Sequence, residues 1–437
     1  MKRQVSERGM SRRVFLKGTA AGIATALSAA GGSKIATQGI FAPRVVRAQG
    51  PLVLFIPAFT HDTIRSVLPE FEDSTGLTVN LEALPSTSGT DTLTHLSTMF
   101  AVGTSAYDVI SDSDEASPLM MRAGWLQSLE DIIPAETWAD FPDSMTEMID
   151  VWHSFDGQRY RIPHGFEMGY FFTRADWLTE RSLAAPATWD EVVEIGKAFT
   201  DSAQGIWGTT DGLAKPALLY VYLAYLTSQT GGDIFAFDEG TATAFQYLYD
   251  LIHTHQILPE TALNQDYNAQ NALYMQDKIA FMRQWPFFYD AARADTEWFA
   301  PEKVVVELPP AGPAGSKSWT GGSGFEVPKF APNPEGAAEL IRFLTSNEIA
   351  PQIAREQGFL MSPRFSIAEA LQDEGNFTLT NMVRYSDASV PTPRPFHPKV
   401  AQAQSIVDDM ASLFLSKQAS LTDVLKQGQE QIAALEE

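Results

Sequence analysis

The chain has 437 residues, a formal net charge of −23 and no cysteine. The missing cysteines exclude disulfides, thiolate metal sites, cysteine nucleophiles and lipidation at a leader cysteine. The acidic balance repels nucleic acid and anionic lipid, so neither is an expected partner, and it names no ligand.

The first 48 residues read as an export leader. Lys2, Arg3 and Arg8 are basic, Ser11-Arg12-Arg13-Val14-Phe15-Leu16-Lys17 is a twin-arginine motif, and an Ala/Gly-rich apolar run follows from Gly18 to Ala30. Val46-Arg47-Ala48 is a small-residue cleavage site. With cleavage after Ala48, 389 residues remain, carrying −31, a length that suits two domains. No later apolar run reaches the ~18 residues of a membrane span. The expected address is the periplasm of a Gram-negative cell, by the Tat route, with no membrane anchor.

Leu52–Ile56 is a short apolar run bounded by prolines and predicts a buried strand. Ile64, Val67, Leu68 and Phe71 follow at helical spacing. Leu77–Leu81 alternates as a strand, Leu93, Leu96 and Phe100 mark a second helix, and Tyr107–Ile110 is a third strand. The order β-α-β-α-β argues for a parallel sheet with helices on its faces. Ligands bind outside the carboxyl ends of such strands. Pro57–Asp62, Pro85–Asp91 and Ser111–Ser117 occupy those ends.

From about Pro163 to Asp295 the pattern is mostly helical. Thr188-Trp-Asp-Glu191 is a capping box that starts a helix through Phe199. Leu213–Ser228 and Thr241–His255 read as further helices, and Leu273–Met282 as a shorter apolar segment. Val304–Val306 is a strand, and a Pro/Gly-rich loop runs from Leu308 to Gly324. Helical stripes return at Gly336–Thr345, at Val400–Phe414 and after Ser420.

Common catalytic motifs are missing. There is no H-E-x-x-H, P-loop or G-x-G-x-x-G, and Phe325 stands where a nucleophile elbow needs its second glycine. His253 and His255, at i and i+2, do not share a helix face and make poor joint ligands. No cofactor and no metal are expected. A glycosidase pair of carboxylates is invisible in sequence and stays open.

Six segments, in order, resemble the family 1 extracellular solute-binding proteins of ABC importers, the maltose-binding-protein-like group. They are Gly157–Pro163, Tyr170–Arg174, Pro186–Glu191, Ala272–Met282 with Trp285, Trp319–Val327 and Ser420–Leu425. Gln276-Asp277 and Phe325-Glu326 depart from the family pattern. The resemblance implies an α/β fold of two lobes (type II), with central mixed sheets flanked by helices and a hinge crossed three times. Lobe one would be 49–164 plus 306–346, and lobe two 165–305 plus 347–437. It implies a monomer that binds a sugar in the cleft and delivers it to ABC permease subunits.

A sugar site needs an aromatic ring against the pyranose face and a few polar groups on the hydroxyls. From the strand-end loops come Thr60, His61, Ser88, Asp112 and Asp114, all of which also suit turns and helix caps. By resemblance Glu167 lies in the cleft and Trp285 is the stacking ring; a surface acid and a core tryptophan are the alternatives. Gly322 and Ser323 bring backbone N–H groups to a ligand or turn into the next strand. Arg364 stands near the third crossing, ready for a hydroxyl, a carboxylate or a lobe-one acid. A non-carbohydrate solute and a periplasmic carbohydrate hydrolase are the competing readings.

Overall fold

The computed structural model describes residues 50–83 and 89–436, so the twin-arginine leader and Ser88 lie outside the described residues. Twelve strands are described: β1 (Leu52–Phe55), β2 (Val79–Glu82), β3 (Val109–Ser113), β4 (Ser154–Phe155), β5 (Gln158–Arg159), β6 (Arg161–Met168), β7 (Tyr170–Thr173), β8 (Trp207–Thr210), β9 (Ile279–Gln284), β10 (Val305–Glu307), β11 (Ser318–Glu326) and β12 (Pro391–Thr392). β4 and β5 form a small hairpin.

The first sheet begins as the sequence predicts. β1 lies between β2 and β3, parallel to both. β11 then adds antiparallel to β3, and β6 antiparallel to β11. Helix His61–Thr75 covers this sheet with Ile64, Val67, Leu68 and Phe71, and Gly76 ends it in the left-handed conformation that glycine tolerates. Helix Pro334–Leu344 packs Ala337, Leu340, Ile341 and Leu344 into the same core.

The second sheet has the order β10-β7-β9-β8. β7 is antiparallel to β10 and β9, and β8 runs parallel to β9. The periodicity of 163–295 expresses its helices and conceals these strands. β7 and β9 are buried at every residue and carry no alternation to read. Helix Leu218–Thr230 is buried on nearly all sides, within a core shared with Val407, Met410 and Phe414. It starts at Leu218 rather than Leu213 because Pro216 precedes it and disfavours helix at Lys215. Half of the capping box forms as expected, Glu191 N–H donating to Thr188 Oγ1, while the Glu191 carboxylate reaches one residue further back and accepts from Ala187 N–H.

The chain changes sheet at Gly169, between β6 and β7, and again within 308–317, between β10 and β11. These points fall beyond the boundaries at 164 and 306 that the resemblance implies. A β-carbon at residue 169 would lie 3.0 Å from Arg283 Cδ and 3.2 Å from Ser318 Oγ, so a side chain at the crossing would press on both. β6 and β11 together form a buried wall at the junction of the two sheets.

Candidate functional site

One cavity, of about 130 Å³, opens between the sheets. Its first-sheet side is built from Phe55 at the end of β1 and Pro57 beyond it, Ser111 to Ser113 and Glu115 from β3 onward, Glu167 of β6, and Trp319 with Gly321 to Ser323 of β11. Ala217, Leu218, Val221, Tyr267, Trp285 and Phe287 form the facing wall. Phe59 stacks on Phe287 across the cleft, with ring centroids 5.7 Å apart.

Two indoles meet in the cavity. Trp285 stands edge-on to Trp319, 5.2 Å between centroids, and the Arg283 guanidinium lies over Trp285. Arg283 is itself fixed by a bidentate pair with Asp211, at 2.7 and 2.8 Å. In the β6–β11 register Glu167 faces Gly321. A β-carbon at 321 would lie 2.9 Å from the Trp319 ring and 3.4 Å from Arg394 Nη1, so glycine leaves room for both.

The polar lining is rich in acceptors without partners. Asp112 Oδ1 and Oδ2, Ser113 Oγ and Glu115 Oε2 are buried and have no hydrogen-bond partner, although Asp112 lies 3.4 Å from the Arg161 guanidinium. Buried polar atoms are nearly always paired, so this cluster marks a place for hydrogen donors from a ligand. Burial pushes Asp112 up to about 7 against the pull of Arg161, with Asp114 and Glu115 adding to the rise. Burial pushes Glu167 up to about 8, with Asp114 and Glu115 again adding. A carboxyl poised there can donate or accept a hydrogen bond.

Asp112, Glu167, Trp285, Gly322 and Ser323 line this cavity together. The structure places the other expected residues elsewhere. Thr60 gives its hydroxyl to the Pro57 carbonyl at 2.8 Å, and His61 Nε2 lies 3.1 Å from the Ile56 carbonyl. Both finish the turn into the first helix. Asp114 is fully buried beneath the cleft. Its Oδ1 accepts from Arg161 Nη1 at 2.6 Å and lies 3.0 Å from His153 Nε2, and its Oδ2 accepts from Gly322 N–H at 2.7 Å. Burial pushes Asp114 up, yet the His153 hydrogen bond and the Arg161 and Arg394 charges outweigh it and hold the carboxyl well below the usual range. The Gly322 N–H is thereby spent on Asp114. Arg364 lies behind the β6–β11 wall, in a second cavity.

Sequence reasoning missed Glu115, Phe59, Trp319 and Arg394. Arg394 donates to Glu115 Oε1 and sits between Trp152 and Trp319, 5.0 and 4.8 Å from the ring centroids. Trp319 opens the glycine-rich segment and could have been read from it. Arg394 lies in the run Pro391-Thr-Pro-Arg-Pro395, which carries no local signal for a site far away in sequence.

Two α/β lobes around a cleft lined by strand ends define a two-lobed solute-binding protein of the periplasmic-binding-protein fold. Residues 60–351 match the model of the bacterial extracellular solute-binding proteins, and the chain belongs to that family. It is 28% identical over 236 residues to a probable ABC transporter-binding protein of Deinococcus radiodurans, covering 50% of this chain and 54% of that one. The chain spans about half the length of the curated relatives it matches. The fold is similar to that of maltose-bound MalE3 of T. maritima, with TM-score 0.78 and 21% identity over 89% of this chain and 100% of that one. It is also similar to that of a solute-binding protein of Thermotoga lettingae bound with α-D-tagatose, with TM-score 0.78 and 19% identity over 88% and 99%. Among the described residues no helix is long and apolar enough to cross a membrane, and no group of acids or histidines could hold a metal ion.

Proposed function

We propose that this protein is the substrate-binding component of an ABC importer and that it takes a single sugar ring or a hexitol. The observation that carries this reading is the pairing of an indole wall with unpartnered acceptors on the opposite strand ends. Trp285 supplies the apolar face, while Asp112, Ser113 and Glu115 receive hydroxyls. One indole wall facing one cluster of acceptors matches a single ring or hexitol, with an apolar face on one side and hydroxyls on the other. The tagatose-bound and maltose-bound neighbours support a carbohydrate ligand.

The remaining parts of the reading rest on the sequence. The leader would send the protein, as a monomer, by the Tat route to a Gram-negative periplasm. The lobes close on the solute about the three crossings, and the closed form docks on permease subunits.

A thermal-shift screen of the chain from residue 49 tests this against hexoses, hexitols and trisaccharides. A hexose or hexitol at 100 times its dissociation constant is expected to stabilise by about 2.7 kcal/mol, and to be recovered intact. Shifts with trisaccharides alone, or none across the panel, would overturn the single-ring reading. Consumption of the hit would make the protein a hydrolase, with the raised Glu167 as its acid.

A further inference from the structure

Behind the β6–β11 wall lies a second cavity, of about 520 Å³, which shares only Arg394 with the lining of the cleft. Phe166 and Thr320 face it, while their neighbours Glu167 and Gly321 face the cleft, as strand alternation requires. The lining is apolar and flexible, with Met145, Met148, Met361 and Met382. Unbranched thioether side chains fill irregular space and adapt to variable guests. Val151 and Phe396 line the same cavity and are among the few large apolar side chains left exposed.

Arg364, Arg394 and Asp387 are the charged residues of this lining, and Arg394 is already paired with Glu115 and Asp114. Arg364 is 1% exposed, and its Nη1 and Nη2 have no hydrogen-bond partner. Asp140 is its single acidic neighbour, 3.8 Å from Nε, and that carboxylate is already engaged by Ser366 N–H and Oγ–H. Both terminal nitrogens of a buried guanidinium are thus left over. A planar fork with two free nitrogens matches a carboxylate in bidentate fashion.

We propose that this back cavity is a second binding site, independent of the sugar reading, for a medium-chain aliphatic carboxylate whose head group pairs with Arg364. The volume falls within the roughly 300–1,000 Å³ of small-molecule sites. Asp140 near the head-group position and Asp387 in the lining disfavour a dianion and select a single negative charge.

Calorimetric titration of the full chain with octanoate, below its micellar range, tests the proposal, with octanol as the uncharged control. Saturable one-to-one binding is expected, at least tenfold tighter for octanoate than for octanol. Arg364→Met should remove that preference while leaving octanol binding. Because Arg364→Met could fail to fold, Met382→Trp supplies a second arm by filling the cavity, and it should weaken both ligands. Trp285→Ala, in the cleft, should change neither. Absence of saturable octanoate binding to the wild-type chain, equal affinity for octanol, or octanoate affinity unchanged in Arg364→Met or Met382→Trp would overturn it.

Discussion

The cleft and the back cavity share the β6–β11 wall and differ in what they offer a guest. The cleft sets indole rings against buried acceptors, with the arginines that touch it already paired to acids. The back cavity sets methionines against an arginine whose terminal nitrogens are unpaired. One pair of strands thus presents two chemistries, because alternate residues face opposite ways. The contrast teaches that charge count says little about a pocket; what matters is which donors and acceptors the fold leaves unspent.

The largest way to break this comparison is to remove the centre of the wall. Asp114 holds Arg161, His153, Gly322 and Arg394. Asp114→Ala takes the shared carboxylate from Arg161 and Arg394, leaving them Asp112 and Glu115, and should cost about 3 kcal/mol of stability, read by denaturant unfolding. Both cavities should suffer together. Trp285→Ala is next and should act on the cleft alone. Loss of the ring should cost about 2–3 kcal/mol of sugar binding, roughly 30- to 150-fold in Kd by calorimetry.

A smaller effect comes from pH. Glu167 has its folded pKa raised from 4.5 to about 8, so between these values the folded state holds a proton that the unfolded state has released. Its contribution to stability is therefore complete below about pH 4.5 and falls as pH rises towards 8. Glu167→Gln should flatten that part of the decline, seen as a smaller loss of melting temperature between pH 5 and 8 in the variant than in the wild type. The smallest effect is expected at His61, whose partner is the backbone of its own turn. His61→Ala should leave sugar affinity within about 0.5 kcal/mol. A large loss there would move the cleft boundary towards the first helix.

The sequence shows the first lobe clearly because its elements are local and amphipathic. Leu52–Phe55 is a short apolar run and Ile64 to Phe71 a helical stripe, each legible from its own few residues, and in the second lobe the capping box at Thr188 is legible in the same way. β7 and β9 lack it because both faces are covered, and the resemblance at Tyr170–Arg174 was needed to expect a strand there. For the site, residue type alone could not tell Asp112 from Asp114. They lie two apart on one strand and its end, yet one faces the cavity without a hydrogen bond and the other is surrounded by donors. That difference is set by Arg161, His153 and Arg394, which approach from distant parts of the chain. Arg394 was invisible for the same reason.

The placing of Arg394 between Trp152 and Trp319 has an optical consequence. Trp152 lines the back cavity and Trp319 the cleft, and a single guanidinium lies about 5 Å from both rings. A cation held against an indole shifts its emission, so filling either cavity should perturb the ring beside it. The chain has nine tryptophans, so the signal of each ring is read as the difference between the wild type and its Trp152→Phe or Trp319→Phe variant, with and without ligand.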